Sequence, residues 1–172
     1  SARLETSNGS IRLRKVAGRL DARTSNGSIE GDEVASDAAL RTSNGAIRLT
    51  QVRGSVEAAT SNGSIHARFA KVTPQKAFRF DSSNGSIDVA FEALEGNDIR
   101  ANTSNSSITL RFPPSIKAQL RANTSHGSIT SDFDVTIRGG AIGKDHLEGQ
   151  IGEGGALVQA STSNGSIRIL RL

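Results

Sequence analysis

The chain of 172 residues is long enough for one domain with its own core and too short to expect two. It has no cysteine, which excludes a disulfide framework and thiolate metal ligation, and its three histidines, His66, His126 and His146, lack the spacing of zinc ligands. The formal charge of +4 permits an anionic partner, but with no lysine or arginine run, tyrosine or tryptophan the composition disfavours nucleic acid.

Reading from the N-terminus, the hexapeptide TSNGSI begins at Thr6 and returns letter for letter at Thr24, Thr60 and Thr162. Near copies start at Thr42 (TSNGAI), Ser82 (SSNGSI), Thr103 (TSNSSI) and Thr124 (TSHGSI). The steps between starts are 18, 18, 18, 22, 21, 21 and 38 residues, the last about two repeats long. A constant period that fills a chain marks a solenoid, whose units bury their apolar sides only against one another. Apolar residues alternate, and Gly, Ser, Thr and Asn punctuate every unit, so the units are strands and not helices. No apolar run is long enough to span a membrane, and the first ten residues lack the pattern of a secretion signal, so a soluble chain is expected, its signal or anchor removed or lying outside it.

In the short units, residues 1–64, apolar residues stand four and two places before the corner, as Leu20 with Ala22 and Val56 with Ala58. Others follow it, as Ile11 with Leu13 and Ile47 with Leu49. Each unit therefore predicts two short strands with one face inward, joined at SNG. Val16, Val34 and Val52 take a further inward place just after Lys15, Glu33 and Gln51, where the chain turns. In the longer units, residues 65–133, the place of Lys15 is taken by Phe69, Phe91, Phe112 and Phe133, which predicts a core ladder of stacked rings.

Residues 134–156 stand where a corner copy is missing, carry seven glycines and predict an irregular rung or a local hairpin. GGAIGKD within them lacks the first glycine and the Ser or Thr that a phosphate loop requires. Residues 157–172 supply the final rung. An Asn-Gly corner also suits a two-residue hairpin, and a meander of hairpins is the alternative fold. Residue identity favours a coil, because only there do equivalent side chains fall above one another at about 4.8 Å and form ladders. The prediction is one all-β domain over residues 1–172, a parallel β-helix (β-solenoid) of about nine rungs with 18–22 residues each. Its structural corner ladder comprises Asn8, Asn26, Asn44, Asn62, Asn84, Asn105, His126 and Asn164. This position is predicted in the left-handed backbone region, which His tolerates better than most residues. The N-x-[ST] pattern at these asparagines follows from a corner spelled NGS, and no glycosylation is expected there.

The outward column three places before each corner reads Arg3, Asp21, Ala39, Glu57, Arg79, Arg100, Arg121 and Gln159. Arginine on arginine over three successive rungs strains a sheet, which makes Arg79, Arg100 and Arg121 the candidate anion-binding stripe. The competing account is a set of solvated side chains neutralised by Asp81 and Asp98. Carboxylate pairs such as glycosidases use would have to come from Glu92 with Asp88 or Asp132 with Asp134, and neither forms a stacked cluster with a basic partner. With no nucleophile elbow, no catalytic residue, metal or cofactor is expected. Both chain ends break off at a rung without a polar cap, which predicts open strand edges and self-association end to end.

The Thr-Ser-Asn-Gly-Ser-Ile corners, the alternating strands between them and the closing LEGQIGEGGALVQASTSNGSIRI resemble the bacterial putative-adhesin domain family and its relatives, the head-domain autotransporter-like adhesins. The resemblance spans essentially the whole chain. It implies a right-handed, single-chain parallel β-helix, borne on an exported or envelope-anchored protein, with no catalytic residues to carry over. The expected function is a noncatalytic, adhesin-like module, extracellular or on the cell envelope, with a cell-surface or anionic glycan ligand. A self-assembling filament subunit is the alternative, and a glycan-active β-helix enzyme stands behind it.

Overall fold

The computed structural model describes residues 1–137 and 143–172. The first six units each supply two strands. They are β1 (Ala2–Thr6) with β2 (Ile11–Val16), β3 (Leu20–Thr24) with β4 (Ile29–Val34), and β5 (Ala38–Thr42) with β6 (Ile47–Thr50). Then come β7 (Val56–Thr60) with β8 (Ile65–Phe69), β9 (Phe78–Ser82) with β10 (Ile87–Phe91), and β11 (Ile99–Asn102) with β12 (Ile108–Phe112). β13 (Ala118–Thr124) and β14 (Ile129–Ser131) follow. The chain closes with β15 (Val135–Thr136), β16 (His146–Ile151), β17 (Ala156–Thr162) and β18 (Ile167–Arg171). No helix of the described residues is long and apolar enough to cross a membrane.

Alternate strands fall into two facing sheets. One runs β1-β3-β5-β7-β9-β11-β17-β13-β16-β15 and the other β2-β4-β6-β8-β10-β12-β18-β14. Pairing is parallel except around β16, which is antiparallel to both β13 and β15. The coil makes five uninterrupted turns from β1 to β11. Eight levels of paired strands are filled in all, and the nine rungs expected from the sequence do not form. The reason lies in residues 134–156, which form no rung; of the two expected alternatives, antiparallel strand pairing is what they supply. They supply β16, which pairs with β13, and β15, which pairs with β16 and ends the first sheet. Residues 138–142, which include the first four of GGAIGKD, lie outside the described residues.

The last corner is not last in space. β17 lies between β11 and β13, and β18 between β12 and β14, so the C-terminal rung is inserted into the stack. The strands that end the stack are therefore not those that end the chain. One end is covered in the first sheet by β16 and β15, and the chain's final strands sit inside the stack. The β1–β2 end carries the exposed apolar side chain Leu4, at 38%.

The core fills the space between the sheets, as the alternation requires. Leu20, Ala22, Val56, Ala58, Ile99 and Ala101 point in from one side, and Ile29, Ile47, Ile65 and Ile87 from the other. At Lys15, Glu33 and Gln51 the backbone enters the left-handed region, with φ of 53°, 53° and 55°. That turn resets the parity of the strand, and Val34 and Val52 are fully buried immediately after it. In the longer levels there is no such turn, and the strand runs on to a phenylalanine. Phe69 stacks on Phe91 with ring centroids 4.8 Å apart, and Phe91 on Phe112 at 5.8 Å. Phe78, from the opposite sheet, meets the first two rings at 4.9 and 5.1 Å. Phe133 is buried but stands outside this stack, because the β18 level separates it from Phe112, and the Arg171 guanidinium lies 5.3 Å over its ring.

Candidate functional site

The corners are built from three side-chain positions with three different tasks. Asparagine forms the outer ladder. Asn26 Nδ2 donates to Asn8 Oδ1 at 2.7 Å, and the same bond repeats from Asn44, Asn62, Asn84 and Asn105 to the level before. Asn164 then donates to Asn105 at 2.8 Å, so the ladder follows spatial order, and His126 occupies the corner of the outermost level. The left-handed conformation expected for these asparagines is absent from the described residues, and the corner glycines also have ordinary φ. Left-handed backbone belongs instead to Lys15, Glu33, Gln51 and Gln75, with Gly96, Gly152 and Gly154.

At most corners glycine is required for another reason, which the sequence did not disclose, and Ser106 is the one exception. A Cβ placed on Gly27, Gly45 or Gly63 would stand 1.9–2.0 Å from the carbonyl oxygen of the preceding level's glycine. The threonine has a task of its own, which sequence reasoning missed. It is buried at most corners, where its hydroxyl serves two levels. Thr42 Oγ1 accepts from the Gly45 N–H at 3.3 Å and donates to the Gly27 carbonyl at 2.9 Å. Its recurrence in the hexapeptide was the available signal, since a hydroxyl is the smallest group that both donates and accepts.

The structure separates the predicted arginine stripe. Arg79 and Arg100 are direct partners across β9 and β11, but Gln159 stands between Arg100 and Arg121 because β17 is inserted there. Arg79 Nε donates to Asp81 at 2.6 Å, a bond that raises the already high pKa of the guanidinium. Arg121 donates to Glu148 at 2.8 Å and holds that carboxyl below its ordinary range. Arg100 has no carboxylate partner among the described residues. Asp98, expected to neutralise the column, accepts from the Leu157 backbone N–H at 2.9 Å instead.

The carboxylates considered for acid–base chemistry are occupied separately. Glu92 pairs with Arg68 at 2.5 Å, and Asp88 with Arg111. Asp132 accepts from the Arg171 N–H at 3.2 Å. Sequence reasoning missed an open groove of about 640 Å³ beside the turns that follow β2, β4 and β6. Lys15, Glu33, Gln51, Arg53 and Lys71 line it, over an apolar floor that includes Val16 and Val34. No group of three or more His, Cys, Asp or Glu among the described residues is placed to hold a metal ion.

Residues 1–95, the regular part of the coil, match the family model described as Toastrack DUF4097. The fold is similar to the crystal structure of a "putative cell adhesion protein" from Clostridium sporogenes, with a TM-score of 0.63 and 10% sequence identity. That alignment covers 80% of this chain and 93% of the other. No curated protein matches the chain.

Proposed function

The chain belongs to the Toastrack family, and from that premise we propose that it is a noncatalytic, adhesin-like module displayed at the cell surface. The observation that carries this reading is the pair Arg79 and Arg100 on the outer face of the first sheet. The two residues are direct partners in the parallel register; Arg79 bonds Asp81 and has Glu57 as its other cross-strand neighbour, and Arg100 has no carboxylate partner among the described residues. Like charges placed opposite each other weaken a sheet, and a bound anion relieves them. The parallel register holds the two backbones one strand spacing apart, so both side chains can reach one anion. An acidic cell-surface glycan is the ligand class this geometry suits. The similarity to a protein named for cell adhesion supports the location, and the separately paired carboxylates support a role without catalysis. Kinship with the head-domain autotransporter-like adhesins rests on the corner motif and the coil.

Head-to-tail filament growth has less support, since β15 and β16 cover one end of the first sheet. The test is binding of the purified chain to acidic and neutral glycans displayed on a surface. The variant Arg79→Ala/Arg100→Ala is expected to lose about tenfold or more in affinity for acidic glycans, the loss of one or two charge-assisted bonds. Equal binding by parent and variant would defeat the proposal, as would turnover of the glycan.

A further inference from the structure

The insertion of the C-terminal rung sets the structure against columns written in the sequence. The corner at Thr124 follows that at Thr103 by 21 residues, as Thr103 follows Ser82. That spacing would seat β13 directly on β11, with Arg121 on Arg100 and Phe133 on Phe112. A complete level intervenes instead. Ala160 is the partner of both Ala101 and Ala122, and Ile167 of both Ile108 and Ile129.

The inserted rung makes the same bonds as any other. Thr162 Oγ1 donates to the Ser106 carbonyl at 2.9 Å, Thr124 Oγ1 to the Gly165 carbonyl at 2.8 Å, and Asn164 Nδ2 to Asn105 Oδ1 at 2.8 Å. Its partners below are 56 and 59 residues distant, whereas the ladder bonds of the first six levels span 15 to 22. Closure over the longer separation costs more entropy than closure of any regular level. The rung hangs from β16 on a short turn in which Gly152 and Gly154 hold φ of 63° and 77°.

We infer that residues 156–172 are an exchangeable rung, and that the slot between β11–β12 and β13–β14 accepts this rung from a second copy of the chain, giving a rung-swapped dimer. The slot recognises a TSNG corner flanked by alternating apolar residues, which the second copy's rung presents identically. Exchange therefore keeps every contact of the rung and changes only those of the turn at residues 152–155, the condition that makes swapping a low-cost route to a dimer. The competing register delays insertion. While β13 rests on β11 the slot is shut, and β17 and β18 are left with open edges that pair with another chain.

Because the chain has no cysteine, exchange can be read by cross-linking. Arg100 and Gln159 are partners on the outer face of parallel strands, within disulfide reach. Copies carrying Arg100→Cys and copies carrying Gln159→Cys are unfolded together, refolded at rising protein concentration and oxidised. The expected product is a mixed dimer, several-fold in excess of dimers of like copies, with a share that grows with concentration. No dimer, or mixed and like dimers in statistical proportion, would overturn the inference. One chain bearing both Arg100→Cys and Gln159→Cys, oxidised in dilute solution, is expected to close an internal disulfide and then stay monomeric at every concentration. Dimer formation by that locked chain would equally overturn the inference.

Discussion

A methyl group at Gly45 would stand 2.0 Å from the Gly27 carbonyl, where no atom fits. The residue is thus demanded by the closeness of the levels and not by its own φ. Gly45→Ala is expected to destabilise the chain by about 3 kcal/mol or more, because the clash is with backbone and cannot be relieved by a side-chain rotation. Asn44→Ala, at an exposed corner, removes two ladder bonds and should cost only about 1 kcal/mol, since water replaces them. Urea denaturation of the two variants measures the difference, and equal midpoints would contradict this account. The sequence displayed the repeated glycine but not its cause, since a left-handed turn and a crowded approach both select the same residue. It likewise displayed Thr at most corners without revealing that the hydroxyl joins successive levels, because hydroxyl bonding leaves no periodic trace beyond identity.

Among the elements, strand faces were legible because a period of two leaves little freedom. Phe69, Phe91 and Phe112 follow from parity alone, as do Val34 and Val52 once a turn at Lys15, Glu33 and Gln51 is admitted. The turns themselves were less legible, since their bonds join loops of different levels. Asp37, between β4 and β5, accepts from the Ser55 N–H at 2.9 Å and from Lys76 Nζ at 3.3 Å, tying three successive loops together. The Ser55 bond, with Lys76 beside it, holds the Asp37 carboxyl below its ordinary value. A depressed pKa means that this stabilisation is present above the unfolded value, near 4, and is lost as pH falls through the folded value. Asp37→Asn should therefore lower stability at neutral pH and draw level with the parent in acid. Urea midpoints measured between neutral pH and about pH 3 would show the two curves converging. A constant gap across that range would count against the carboxylate as the source.

For the molecule as a whole, the corners that made the coil recognisable also concealed its order. The TSNGSI of Thr162 fits on the level of Asn105 as well as the TSHGSI of Thr124 does, so identity carries no information about which comes next. The insertion is recorded in the strand order of the two sheets and not in the corners. It predicts that amides of β17, paired on both sides, exchange with solvent far more slowly than those of β1, which is paired on one side. Hydrogen exchange read by mass spectrometry of peptides from the two strands tests this, and faster exchange in β17 would place the rung outside the stack. The same arrangement makes the molecule mechanically unequal along its length. A pull applied at Ser1 loads an edge strand and unzips one level at a time. A pull applied at Leu172 loads β18, gripped by β12 and by β14, and must break both rows of bonds before anything yields. A tether at the C-terminal residue would therefore bear a greater force than one at the N-terminal residue.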